Sequence, residues 1–192
     1  IAMKRIEELQ QEAIALLQKL ISTPSLSGEE DQTAAHIKAW LESYGVVCEQ
    51  EKNNVYAINK HEDPSKPYLL LNSHHDTVHA NSGYTRNPHD ATIEDGKLYG
   101  LGSNDAGGAL VCLLATFVYF YEHENMAYNL VVAATAEEET SGPNGLNSLL
   151  KTLPPIDTAI VGEPTQMHLA VAEKGLVVFD ATINGTASHA AH

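Results

Sequence analysis

Four clusters of histidine and carboxylate stand at points where a folded chain could present them together. His74, His75 and Asp76 follow the apolar run YLLLNS, and Asp105 precedes GGALVCLLA. Glu137, Glu138 and Glu139 follow LVVAATA, and Glu163 sits in GEPT. Imidazole and carboxylate are the ligands that zinc takes at roughly 2.0–2.2 Å, and two such ions about 3.5–4 Å apart need a carboxylate to share. Asp105 is the natural candidate for that shared position. The chemistry in view is therefore that of paired cations.

Each cluster also has an ordinary explanation. His74 fits a capped or exposed loop histidine, Asp105 a helix N-cap, the three glutamates an acidic first turn favoured by the helix dipole, and Glu163 a turn residue before Pro164. What favours chemistry is the ordered set: an HxD, an aspartate at a Gly-rich helix start, a carboxylate pair, then GEPT.

The elements that must carry these residues follow from apolar periodicity. Ile6, Leu9, Ala13, Leu16, Leu17 and Leu20 recur at three and four, which predicts an amphipathic helix stopped near Pro24. Ser27 with Glu30 forms a capping box, and Ile37, Trp40, Leu41 and Tyr44 give a second helical stripe closed by Gly45. VVCE and NVYAIN read as short strands, and a helix is expected from about 107 to 121. YLLLN, LVVAAT and DTAIVG read as buried strands, with GLNSLLKTL a short helix between the last two. The fold class is α/β, a mixed, largely parallel central sheet flanked by helices. The ligand-type residues then fall at the carboxyl ends of three strands, the edge where open α/β sheets build sites. From Met167, HLAVAE and GLVVFDATI look like two β segments that open a new topology.

Bulk properties narrow the function classes. Eleven basic against 25 acidic residues give a formal charge of −14, the wrong sign for gripping nucleic acid or anionic lipid. Neither nucleic acid nor membrane is an expected partner. Cys48 and Cys112 lack CxxC spacing, and Cys112 reads as core within GGALVCLLATF. No apolar run reaches the roughly 20 residues that span a bilayer, and no signal-peptide order begins the chain, so the expected location is the cytoplasm. Ile1 and Ala2 before Met3 read as an expression scar, and the stop at His192 reads as part of a longer chain.

SHHDTV, YGLGSNDAGG, ATAEEETSG, VGEPT and GTASHAA occur in one order over nearly the whole length. With these motifs the chain resembles the acetylornithine deacetylase and succinyl-diaminopimelate desuccinylase family of dizinc metallopeptidases, and within it the acetylornithine deacetylase-like members. The resemblance implies a zinc-exopeptidase-like catalytic domain over 1–175 and the start of an inserted α+β lid and dimerisation domain over 176–192. It implies two Zn2+, with Co2+ or Mn2+ as alternatives. His74 and Glu163 would hold one ion, Glu139 the other, and Asp105 would bridge them. Asp76 would orient His74, Glu138 would be the general base, and His189 would reach in from a partner subunit to the oxyanion.

The implied reaction is hydrolysis of the amide of an N-acyl amino acid, in amino-acid and specifically arginine biosynthesis, by a homodimer joined through the lid. Succinyl-diaminopimelate desuccinylase, dipeptidase or carboxypeptidase action is the alternative inside the family. A non-catalytic binding or dimerisation relative is the alternative outside it. Leu101 and Ser73 depart from the family pattern, and the second ion's remaining histidine belongs to sequence beyond this chain. Residues 1–192 alone are therefore expected to be inactive.

Overall fold

The computed structural model describes residues 6–172, 174–175, 177, 179, 181–183 and 185. Helix α1 (Ile6–Ile21) buries Leu9, Ala13, Leu16, Leu17 and Leu20 along one stripe, as the three-and-four spacing predicts. Helix α2 (Asp31–Ser43) buries Ala34, Ile37 and Leu41. It ends before Gly45, whose φ of +75° suits the left-handed position that follows a helix. The expected capping box does not form. Glu30 occupies the N-cap position without a side-chain cap, because both Ser27 and Glu30 are engaged elsewhere, beneath the site.

Strands β1 (Glu49–Glu51), β2 (Asn54–Ile58) and β3 (Tyr68–His74) follow. A small hairpin, β4 (Ile93–Glu94) and β5 (Lys97–Leu98), escaped the periodicity reading. Its Asp95-Gly96 turn has both φ values positive, the arrangement that Asp-Gly favours in two-residue hairpins. Helix α3 (Gly108–Phe120) leads to β6 (Asn129–Thr135), the short α4 (Leu146–Leu149) and β7 (Thr158–Val161).

The sheet is mixed, in the order β1-β2-β6-β3-β7. The β1/β2 and β2/β6 pairs are antiparallel, whereas β6/β3 and β3/β7 are parallel. Register sets His74 opposite Thr135 and Asn72 opposite Val161. The carboxyl ends of three parallel strands therefore align, and whatever follows them is delivered to one edge.

The core lies between α1, α2, α3 and one face of the sheet, with Ile37, Leu110, Leu114, Phe117 and Val132 almost fully buried. A smaller cluster on the other face joins Leu70 and Val131 to Leu149 and Leu153. Residues 103–120 are apolar enough by length and composition to cross a membrane. Helix α3 itself has 13 residues, about 20 Å against the roughly 30 Å of a hydrocarbon core, and it packs on α1 and β3.

Three expectations are corrected. Cys112 is exposed, because α3 turns the Leu110, Leu114 and Phe117 stripe inward and carries Cys112 on another face. β7 forms, but its residues are exposed rather than buried, since it is an edge strand paired with β3 alone. The runs from Met167 form no strand among the described residues, and Glu173, Leu176, Val178 and Asp180 of these runs lie outside them. The boundary expected at 175 falls within this stretch.

Candidate metal centre

His74 ends β3 and is almost fully buried. Its Nδ1 faces the Asp76 carbonyl at 3.0 Å and Asp76 Oδ1 at 3.3 Å. Both neighbours are acceptors, so Nδ1 carries a proton and Nε2 is the nitrogen turned outward to the carboxylates. Around Nε2 stand Asp105 Oδ1 at 3.2 Å, Glu138 Oε2 at 3.9 Å and Glu163 Oε1 at 4.0 Å. His74, Asp105 and Glu139 each offer a ligand atom, and these atoms lie within 4.8 Å of one another. A buried histidine ringed by carboxylates is not a loop histidine.

The ordinary explanations of Asp105 and of the three glutamates fail on backbone geometry. Helix α3 starts at Gly108, and Asp105 lies in a wide turn over Ser103–Gly107 with φ −114° and ψ 100°, so it caps nothing. Gly102 makes that turn: its φ is +76°, and a Cβ there would stand 2.8 Å from Thr77 Cγ2. Residues 137–139 form a tight turn rather than a first helical turn, with Glu137 at φ +55°. Its carboxylate folds back onto the backbone N–H and side-chain amide of Asn144, which leaves Glu138 and Glu139 to face the site.

Asp76 does more than orient the imidazole. Oδ1 accepts the backbone N–H of Glu138 at 3.1 Å, and Oδ2 accepts that of Glu139 at 3.1 Å and the Ser27 hydroxyl at 2.7 Å. Burial alone would raise its pKa, but the hydrogen bonds from His74, Ser27 and the two backbone N–H groups outweigh it and hold the carboxyl at about 2. For His74, burial works toward the neutral ring, and the Asp76 hydrogen bond with the charges of Asp76, Glu163 and Glu138 raises the pKa to about 9. Glu139 and Glu163 are pushed up, first by burial and then by the neighbouring carboxylates, against the lowering effect of His74.

His75, one residue on, points away from this group. Its Nδ1 meets Thr33 Oγ1 at 2.8 Å and its Nε2 the Asn53 carbonyl at 3.0 Å, and burial lowers its pKa. His189 lies outside the described residues. Sequence reading missed Ser27 and Glu30 as parts of the site, because their capping-box spacing gave them another role.

One imidazole and four crowded carboxylates, with no thiolate, form a donor set that fits a hard or borderline dication such as zinc. Like charges this close need a countercharge. The sequence profile of peptidase family M20/M25/M40 matches residues 70–187. The chain belongs to this family. An acetylornithine deacetylase from Proteus mirabilis (strain HI4320) is 31% identical, over 92% of this chain and 48% of the relative. This M20 chain thus spans about half the length of the curated relatives it matches. Among solved structures, an M20 family metallo-carboxypeptidase from Sulfolobus solfataricus superposes with a TM-score of 0.67 at 26% identity, covering 79% of this chain and 37% of that one. Human carnosine dipeptidase 1 shares the fold, with a TM-score of 0.62 at 20% identity over 81% of this chain and 39% of its own.

The Asp76 linkage is directly measurable in this M20 domain. A carboxylate held low in the folded state contributes stability that is complete above its unfolded pKa of about 3.9 and is lost as pH falls toward 2. In chelator-treated protein, Asp76→Asn is expected to flatten stability between pH 4 and 2, removing on the order of 2 kcal/mol of pH dependence. Denaturant midpoints across that range test it, and equal slopes for the two proteins would contradict the assignment.

Proposed function

We propose that the full-length protein is a metal-dependent amidohydrolase that deacylates an N-acyl amino acid, in the manner of an acetylornithine deacetylase of arginine biosynthesis. The single observation that carries this reading is the convergence of Asp105, Glu138 and Glu163 on His74 Nε2. His74, Asp105, Glu139 and Glu163 would hold two Zn2+, with Asp105 shared. When bound, such a pair polarises the amide carbonyl and makes water acidic enough to attack at neutral pH.

The protein groups act around that pair. Glu138 accepts the proton of the attacking water and returns it to the departing amine. Asp76 keeps the His74 proton on Nδ1 and fixes the Glu138 backbone, so that the base meets the water without reorganisation. A cleft of about 260 Å³ opens beside Glu138 and Glu163, between the 136–142 loop, α4 and the end of β7. His189 is proposed to donate to the tetrahedral oxyanion across a homodimer joined by the lid domain. The cytoplasm is the proposed location.

The test is a rate comparison on zinc-loaded, full-length protein with N-acetylornithine, N-succinyl amino acids and a dipeptide. N-acetylornithine is expected to give the highest kcat/KM. Preference for the dipeptide would transfer the protein to the peptidase reading, which the likeness to the Sulfolobus solfataricus metallo-carboxypeptidase supports. Turnover of none of them, with no zinc retained, would reject the proposal.

A further inference from the structure

The turn that carries Glu138 and Glu139 is suspended from four consecutive backbone N–H groups, each donated to a side-chain oxygen from elsewhere in the chain. Ala136 N–H goes to Asn54 Oδ1 at 3.0 Å and Glu137 N–H to Glu30 Oε1 at 3.0 Å. Glu138 and Glu139 N–H go to the two oxygens of Asp76, each at 3.1 Å. Asn54 and Glu30 are fully buried, and Asp76 is nearly so. Bonds from N–H to carboxylate are charge-assisted and are strongest where water is excluded.

Both carboxylates are in turn tied to one short segment. Ser27 donates its hydroxyl to Asp76 Oδ2 at 2.7 Å, and Gly28 N–H donates to Glu30 Oε1 at 2.7 Å. The second Glu30 oxygen accepts from Asn53 Nδ2 at 2.8 Å. Segment 27–30 thus fixes, through two buried carboxylates, where the backbone of 137–139 sits. A helix cap would have used Ser27 and Glu30 on each other; here Glu30 accepts from the turn at Glu137 and Ser27 donates to the Asp76 carboxylate that holds it.

We infer that Ser27 and Glu30 are positioning residues for the hydrolytic site, setting the placement of the Glu138 base and the Glu139 ligand without touching substrate or metal. The inference rests on the functional reading above. Misplacement by about 1 Å at a reacting group costs on the order of 100-fold in rate, and loss of an outer partner of a metal ligand costs about 10–100-fold in affinity or activity.

The experiment compares wild type, Ser27→Ala, Ser27→Thr and Glu30→Gln in the full-length protein, by kcat and KM on N-acetylornithine, Co2+ affinity and the visible spectrum of the Co2+ form. Ser27→Ala and Glu30→Gln are each expected to lower kcat about 10–100-fold, with KM within about twofold, and to weaken Co2+ binding about tenfold. Ser27→Thr keeps the hydroxyl and is expected to restore both values. A purely structural role would lower the melting temperature but leave kcat per metal-loaded molecule and the Co2+ spectrum at wild-type values, and that result overturns the inference. Should wild type hydrolyse no amide, the functional reading fails, and the Co2+ titration alone decides: unchanged affinity in both variants overturns the inference, and a tenfold loss supports it. Should Glu30→Gln fail to fold, the Ser27→Ala and Ser27→Thr pair decides by the same criteria.

Discussion

Glu138→Gln in the full-length, zinc-loaded protein is expected to lower kcat by about 10²–10⁴-fold, the range that general acid–base catalysis supplies, while zinc content and KM stay near wild type. The asymmetry follows from the site. Glu138 reaches to 3.9 Å from His74 Nε2, on the rim of the proposed metal pair, where it would meet the attacking water. Its backbone is held by Asp76 whatever its side chain carries, so an isosteric amide keeps the turn intact and would remove only the proposed proton transfer. A matched control is Glu122→Gln, an exposed partner of Lys60 remote from the site, for which full activity is expected. Loss of zinc in step with loss of rate in Glu138→Gln would make Glu138 a ligand and return the role of base to another group.

How much of this was legible beforehand depends on what each signal reports. Continuous apolar runs located β3 and β6 because both are enclosed on two faces, and the three-and-four spacing of Leu9, Ala13 and Leu16 located α1 because one stripe meets the core. The ligand-type residues were legible for a related reason: strand ends in a parallel sheet share an edge, so sequence order alone brings His74, Glu139 and Glu163 toward one place. Burial of β7 and of Cys112 was misread because an apolar run says what a segment could bury and not what lies against it. Segment 27–30 was misread for a deeper reason. Its Ser and Glu obey a local spacing rule, and only tertiary structure reveals that Asp76 and the 136–139 turn outcompete the local bond.

The shared position is the harsher test of the centre. At an effective dielectric constant of 20, two unit charges 4 Å apart repel by about 4 kcal/mol, so two dications at that spacing repel several times more strongly. A carboxylate between them is what makes the pair tolerable. Asp105 is the residue proposed to serve: it stands 3.2 Å from His74 Nε2, belongs to the same ligand cluster as Glu139, and makes no side-chain cap to the helix that follows. Asp105→Asn keeps shape and removes the charge, and is therefore expected to reduce bound zinc from two equivalents to one or fewer. It should also lower kcat by more than about 10³-fold, since a site left with one ion or none would lose the charge stabilisation that a pair would supply. Elemental analysis after gel filtration reads the first effect, and single-turnover rates at saturating zinc read the second. Two equivalents retained by Asp105→Asn would dismantle the bridging assignment and leave His74, Glu139 and Glu163 to hold their cations independently.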